Sequence, residues 1–196
     1  MRPEFYDIAV YPLERLVLSR WRRELIGQAE GKVLEVGAGT GVNLPFYQRA
    51  SALVVTDFNE PMLRRGAQRR RMPGGAVNFV VTDAQHLPFA SGSFDTVIAT
   101  LAFCTIPQPG MAMREIKRVL RPGGQLLLLE HVRAGKAWAV AIQNQFTPCW
   151  SRLANGCHLN RNTLELAQNS GFIVVEKRVG LDDWLLSARL TPRSGA

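Results

Sequence analysis

Val33-Leu34-Glu35-Val36-Gly37-Ala38-Gly39-Thr40-Gly41, followed by Leu53-Val54-Val55-Thr56-Asp57, is the stretch that decides the fold. The first apolar run ends in Gly37 and reads as a central strand. Glycines at 37, 39 and 41 let the backbone turn tightly and let a ligand approach where a Cβ would clash. The second run ends in Asp57, which sets a carboxylate at the tip of the neighbouring strand, where it can accept hydrogen bonds from a ribose diol. The pair predicts a site for an adenosine-bearing ligand. The spacing is G-x-G-x-G rather than the G-x-G-x-x-G of dinucleotide sites, and no G-x-x-x-x-G-K-[ST] loop is present, so neither NAD nor ATP is favoured.

Working outward, 196 residues with 46% hydrophobic content suit one domain with a real core. No run of 18 apolar residues occurs, and the first residues lack the basic-then-apolar pattern of a signal peptide, so a cytoplasmic protein is expected. Cys104, Cys149 and Cys157 show no C-x-x-C spacing and no Cys/His cluster along the chain, so free thiols and no metal are expected. The net charge of +8 favours acidic partners, an anionic membrane face or nucleic acid.

Residues 11–27 carry Leu13, Leu16, Val17, Trp21 and Leu25 at helical spacing, with Arg15, Arg20, Arg22 and Arg23 over much of the rest. This basic amphipathic helix, within an N-terminal segment 1–30, is expected to pack on the domain with solvated arginines, or else to lie on a membrane surface or gate the substrate. Asn59 and Pro61 open a helix ending near Arg69-Arg70-Arg71 before Pro73-Gly74-Gly75, the arginines complementing its C-terminus. Apolar runs at 77–81, 94–99 and 125–130 suit parallel strands covered on both faces. Met113, Ile116, Val119 and Leu120 line one helix, stopped by Arg121-Pro122-Gly123-Gly124. Asn162 and Glu165 form a capping-box pattern, Gly171 suits a helix C-terminus, and 172–179 with 184–190 read as an antiparallel hairpin at a sheet edge.

Glu35 to Gly41 with Asp57, then Asp83-Ala84, Ser93-Phe94-Asp95 and Leu120-Arg121-Pro122-Gly123-Gly124, resembles the class I S-adenosylmethionine (SAM) methyltransferases in order and spacing over roughly residues 30–190. The resemblance implies an α/β fold: a single Rossmann-like seven-stranded sheet, mostly parallel with an antiparallel C-terminal hairpin, and helices on both faces. It also implies SAM as cofactor and S-adenosylhomocysteine as product. Carried over position by position, Glu35, Gly37, Ala38, Gly39 and Gly41 pass the methionine part and Asp57 takes the ribose hydroxyls. Phe58 and Met62 flank adenine, and Asp83 and Ala84 face its edge. Thr100 and Leu101 close the pocket under the methionyl group, while Tyr6 or Tyr11 forms a lid.

Residues 137–160 fall where this family covers the acceptor. Trp138, Ile142, Phe146, Trp150 and Leu153 read as an apolar acceptor wall, or else as ordinary core, and Pro148 is expected to break the segment into a lid-like pair. Glu130-His131-Val132, Trp150, Gly156 to Thr163 and Gly171-Phe172 resemble a narrower set, the bacterial phospholipid N-methyltransferases and the animal membrane-associated alkyl-thiol methyltransferases. Without the hydrophobic anchor of the animal enzymes, a soluble or peripherally bound form is implied, at the inner membrane face.

A phospholipid amine of the phosphatidylethanolamine type is the first acceptor expected, then a thiol, then a quinone carbon. An amine resembling Lys, of pKa about 10.4, must lose its proton, and His131 and His158 are the candidate bases. Thr100-Leu101-Ala102-Phe103 stands where a nucleic-acid methyltransferase would carry Asn/Asp-Pro-Pro-aromatic, which disfavours nucleic acid. No obligate protein partner is expected; a non-catalytic SAM-binding module is the remaining alternative.

Overall fold

The computed structural model describes residues 17–69, 77–154 and 156–193. Helix α1 (Ser19–Ile26) leads into β1 (Glu30–Val36), followed by β2 (Arg49–Asp57), α2 (Glu60–Arg69), β3 (Val77–Val81) and β4 (Phe94–Thr100). Then come α3 (Pro109–Val119), β5 (Leu120–His131), α4 (Ala137–Leu153), α5 (Thr163–Asn169), β6 (Phe172–Gly180) and β7 (Leu185–Pro192). The seven strands run in the order β3-β2-β1-β4-β5-β7-β6. The first five pair in parallel, and β7 is antiparallel to both β5 and β6.

Alternate strand residues feed two separate cores because successive side chains leave opposite faces of the sheet. Leu34, Val54, Val97, Leu126 and Leu128 pack with Met113, Ile116 and Val119 of α3 and Ala167 of α5. Val33, Leu53, Val55, Ile98, Leu127 and Leu129 pack with Trp21, Leu25 and Ile26 of α1 and Leu63 of α2. A strand buried on both faces must be apolar at every position, which is why the runs in β1, β4 and β5 are nearly continuous.

Helix ends follow the local chemistry read from sequence. Asn59 Oδ1 accepts from Met62 N (3.2 Å), and Asn162 Oδ1 accepts from Glu165 N (3.3 Å) while its amide donates to Glu165 Oε2 (2.6 Å). Gly171 follows α5 at φ +87°. Arg70, Arg71 and the turn at 73–75 lie outside the described residues, as do Tyr6, Tyr11, Leu13, Arg15 and Leu16.

Two expectations are overturned. Arg22 is not solvated: it is 3% exposed, and its guanidinium donates to Asn43 Oδ1 (2.8 Å) and Thr100 Oγ1 (2.6 Å). Pro148 does not split the segment it occupies, since α4 runs unbroken through it. Proline removes one donor from the helix ladder, and the carbonyl it would have served belongs to Asn144, on the exposed side of α4. Next to it, Thr147 Oγ1 donates to Gln143 O (2.6 Å) and binds the inner side of the turn.

Candidate active site

In the parallel part of the sheet, strand order reverses between β1 and β4, whose C-terminal ends point the same way. Ligands of open α/β sheets bind outside such a reversal. The glycine loop leaves β1 there. At Gly37 (φ +70°) a Cβ would stand 2.6 Å from Ala102 Cβ, so loop and β4 exit touch only because the side chain is missing. At Gly39 (φ +54°) nothing lies within 4 Å of a Cβ, so the bare backbone faces open space. Asp57 borders that space. Its Oδ2 accepts from Gly39 N and its Oδ1 from Asn59 N, both at 2.8 Å, and Ala38 N donates to Thr56 O (2.9 Å). Burial pushes the Asp57 carboxyl upward against the N–H groups of Asn59, Gly39 and Phe58. These residues fit the cofactor: a carboxylate with remaining lone pairs stands beside an open glycine backbone.

The rim residues divide. Phe58 is 71% exposed beside Asp57 while Met62 is buried, so one presents a free aromatic face and the other supports the wall. Asp83 is exposed, and its carboxylate accepts from Gln85 N (2.9 Å) and from Gln85 Nε2 (2.9 and 2.7 Å). Ala84 packs against the α3-side core. Leu101 adopts φ +53°, a conformation that costs a non-glycine residue, and its N–H donates to Leu129 O (2.7 Å).

Glu35 lies within the fold. It is 1% exposed, with Oε1 accepting from Asn43 Nδ2 and Oε2 from Tyr47 Oη, both at 2.6 Å. Burial raises its carboxyl to about 7 against those two hydrogen bonds. Thr100 Oγ1 accepts from Arg22 and from Asn43 Nδ2 (2.9 Å). Glu35 and Thr100 therefore form a polar floor with Arg22, Asn43 and Tyr47 beneath the loop. Asn43 and Tyr47 carry a faint sequence signal, polar groups shortly after the glycine loop; Arg22 carries none.

On the acceptor side, Glu130 at the end of β5 is 0% exposed, and its Oε1 accepts from Ala102 N (2.9 Å) and Phe103 N (3.1 Å). Burial raises it to about 7, opposed by the Phe103 N–H and the charge of His131. His131 Nε2 lies 3.1 Å from Cys157 Sγ. Cys104 completes a group whose three donor atoms lie within 4.8 Å of one another. The sequence shows no Cys/His cluster, but the fold makes one: residues 104, 131 and 157 are far apart in sequence and adjacent in space. Within this group the Cys104 contact, with His131 in support, pulls the Cys157 thiol well below its ordinary range. Burial opposes the charged form of His131, but Cys157 outweighs it and raises that histidine. His158 contributes its backbone, its N–H donating to Cys104 O (2.9 Å), while its imidazole is not in the group.

Beside this lies α4, which among its described side chains buries a narrow stripe at Ala139, Gln143 and Thr147. Trp138, Ile142, Phe146 and Trp150, spaced by four, stand between 41% and 60% exposed. The aromatics of this segment are therefore surface and not core. Among the described residues, no helix is long and apolar enough to cross a membrane.

A strand leading into an open glycine backbone, a carboxylate at the tip of the next strand and an antiparallel last pair on a parallel sheet suit a SAM-dependent methyltransferase. The methyltransferase domain family matches residues 34–128. The thiol S-methyltransferase TMT1B of Homo sapiens is 34% identical over 169 residues, covering 79% of this chain and 68% of that protein. The phosphatidylethanolamine N-methyltransferase of Cereibacter sphaeroides is 34% identical over 115 residues, 58% of this chain and 57% of that one. In three dimensions, an S-adenosylmethionine dependent methyltransferase from Mesorhizobium loti superposes with a TM-score of 0.67 at 19% identity, over 88% of this chain and 96% of that chain. The chain belongs to the class I SAM-dependent methyltransferases, and SAM is its cofactor.

Proposed function

We propose that this enzyme methylates the sulfur of a lipophilic thiol. The observation that carries this reading is the engagement of His131 by Cys157 at 3.1 Å. His131 Nε2 is committed to Cys157 and Nδ1 is buried, so neither nitrogen is offered to an ammonium acceptor as a base. A thiol, of unperturbed pKa about 8.5, supplies some thiolate near neutrality without such a base. The thiol S-methyltransferase relative supports the same acceptor, and so does the apolar stripe of α4, which suits a greasy substrate. This reverses the order of acceptors expected from the sequence.

Bound SAM supplies a methyl group on a sulfonium, so the protein's task is alignment. Asp57 and the Gly39 backbone hold the adenosine end, and Leu101 with the Glu35, Asn43 and Thr100 floor fixes the methionyl end. The β4 and β5 exits set the acceptor in line. Phe58 and Met62 flank adenine, and Asp83 and Ala84 bound its edge.

A second reading, transfer to a phospholipid amine, is favoured by the phosphatidylethanolamine N-methyltransferase relative. In either reading we infer a peripheral position on an anionic bilayer, supported by the exposed apolar residues of α4 and the net charge of +8. Incubation with methyl-labelled SAM, an alkanethiol and phosphatidylethanolamine vesicles separates the two. Labelled thioether with little labelled lipid is expected; labelled lipid alone would overturn the thiol reading.

A further inference from the structure

We propose that Cys104, His131 and Cys157 form a binding site for a thiophilic divalent cation of the zinc class, with an open fourth position that takes the acceptor thiol as its thiolate. The metal site stands on its own geometry; only the identity of the fourth ligand rests on the thiol reading above.

The donor set is two thiol sulfurs and one imidazole nitrogen, all within 4.8 Å of one another. Zinc binds sulfur at about 2.3 Å and histidine nitrogen at about 2.0–2.1 Å in a tetrahedron, which requires donors roughly 3.5–3.8 Å apart. His131 Nε2 and Cys157 Sγ, now 3.1 Å apart, need to separate by only about half an ångström. Cys104 is 4% and Cys157 9% exposed, so the site is desolvated, and two thiolates with a divalent cation sum to zero charge there. Three protein ligands and one open position is the arrangement of catalytic rather than structural zinc.

The ligands are also held in place. His158 N donates to Cys104 O, joining the two cysteine loops, and Arg133 N donates to Arg161 O (2.9 Å). The Arg161 guanidinium donates to Phe103 O and to Ile106 O (2.6 Å), clamping the loop that carries Cys104. His131 itself terminates β5. Beside the group, Glu130 Oε2 and His131 Nδ1 are buried with no hydrogen-bond partner among the described residues. Buried polar atoms are rarely left so.

The position suits the reaction. Cys104 follows β4, the neighbour of the glycine-loop strand β1, and His131 ends β5, one strand further out, so the site is about one to two strand spacings, roughly 5–10 Å, from the loop. A thiol entering the fourth position gives its proton to solvent and binds as thiolate, since a coordinated thiol is deprotonated outright. The thiolate sulfur then forms a bond to the methyl carbon as the carbon–sulfonium bond breaks. That electron pair returns to the donor sulfur, leaving a thioether and S-adenosylhomocysteine.

The test uses the full chain, reduced and purified without chelator, titrated anaerobically with Co²⁺ as spectroscopic probe. Calorimetric SAM binding is measured on every sample. An equimolar cobalt complex with a sulfur-to-metal charge-transfer band is expected, lost in Cys157→Ser and Cys104→Ser, retained in Cys149→Ser, and displaced by Zn²⁺. Adding an alkanethiol should intensify the band, and chelation should abolish thiol methylation while leaving SAM affinity unchanged. No band in wild-type protein that binds SAM overturns the metal site, as does a band that survives Cys157→Ser or recovery of Cys104 and Cys157 as a disulfide. If the cysteine variants fail to bind SAM, His131→Gln and Cd²⁺ competition on wild type decide by the same criteria. A band indifferent to alkanethiol overturns the fourth-ligand assignment alone, and loss of SAM binding in wild type would instead overturn the methyltransferase reading.

Discussion

The cofactor half and the acceptor half of this enzyme are built by different means. Around β1 and β2, the groups that shape the site are close in sequence: Glu35 meets Asn43 and Tyr47, and Asp57 meets Asn59 and Gly39. Around β4 and β5 they are remote: Glu130 reaches back to Ala102 and Phe103, Cys157 lies against His131 and Cys104, and Arg161 reaches Phe103 and Ile106. The first half is a motif and the second a convergence of loops. A half written in one short stretch can be shared by a whole family while the other half varies with the acceptor.

The largest effect expected from breaking this comparison is at Glu35. Its folded carboxyl, raised to about 7, makes a contribution to stability that is fully present below the ordinary glutamate range and is lost as pH rises through 7. Glu35→Gln removes that dependence. The variant should be more stable than wild type by about 3 kcal/mol above pH 7, converging with it towards the ordinary glutamate pKa. Urea denaturation across pH checks this, and a constant difference at every pH would contradict it.

Asp57→Ala takes the charged acceptor from the ribose side and should weaken SAM and S-adenosylhomocysteine binding by about 1.5–3 kcal/mol. Titration calorimetry reads this directly. Unchanged affinity would remove Asp57 from the cofactor contacts.

Arg22→Leu tests whether the floor is shared between the halves. It leaves Thr100 and Asn43 short of a buried donor, at a cost of about 1–3 kcal/mol in stability, with a smaller loss of SAM affinity than Asp57→Ala. A variant as stable as wild type would show that the guanidinium is dispensable.

Phe146→Ser should be the mildest, changing stability by no more than about 0.5 kcal/mol because the ring is 60% exposed. It should raise the KM for a lipophilic acceptor and leave SAM affinity alone. A large stability loss would mean that this face is covered in the folded chain.

The same division explains what could be read from the chain. Most of the strands, the glycine loop, the Asn162 cap and the closing hairpin rest on local signals, apolar runs, turn glycines and capping pairs, while the seven-stranded sheet as a whole follows from the family resemblance. Arg22 was misplaced because a helical wheel shows which face an arginine occupies but not what the sheet presents to that face. Pro148 was misread because its effect depends on whether the lost bond faces solvent. The Cys104, His131 and Cys157 group has no spacing signature at all, since β4, β5 and the loop after α4 bring it together. Glu35 stood in the right motif but turned inward, a choice made by Asn43 and Tyr47.

The Arg22 bridge has a consequence for the order of folding. Its hydrogen bond to Thr100 spans 78 residues, whereas the Glu35 bonds close loops of 8 and 12. Closing a longer loop costs more chain entropy, and non-local contacts form later. The glycine loop and its carboxylate can therefore order while α1 is still undocked, and α1 then locks them by threading one guanidinium beneath a finished turn. A nascent chain would acquire its cofactor cradle before its acceptor side closes.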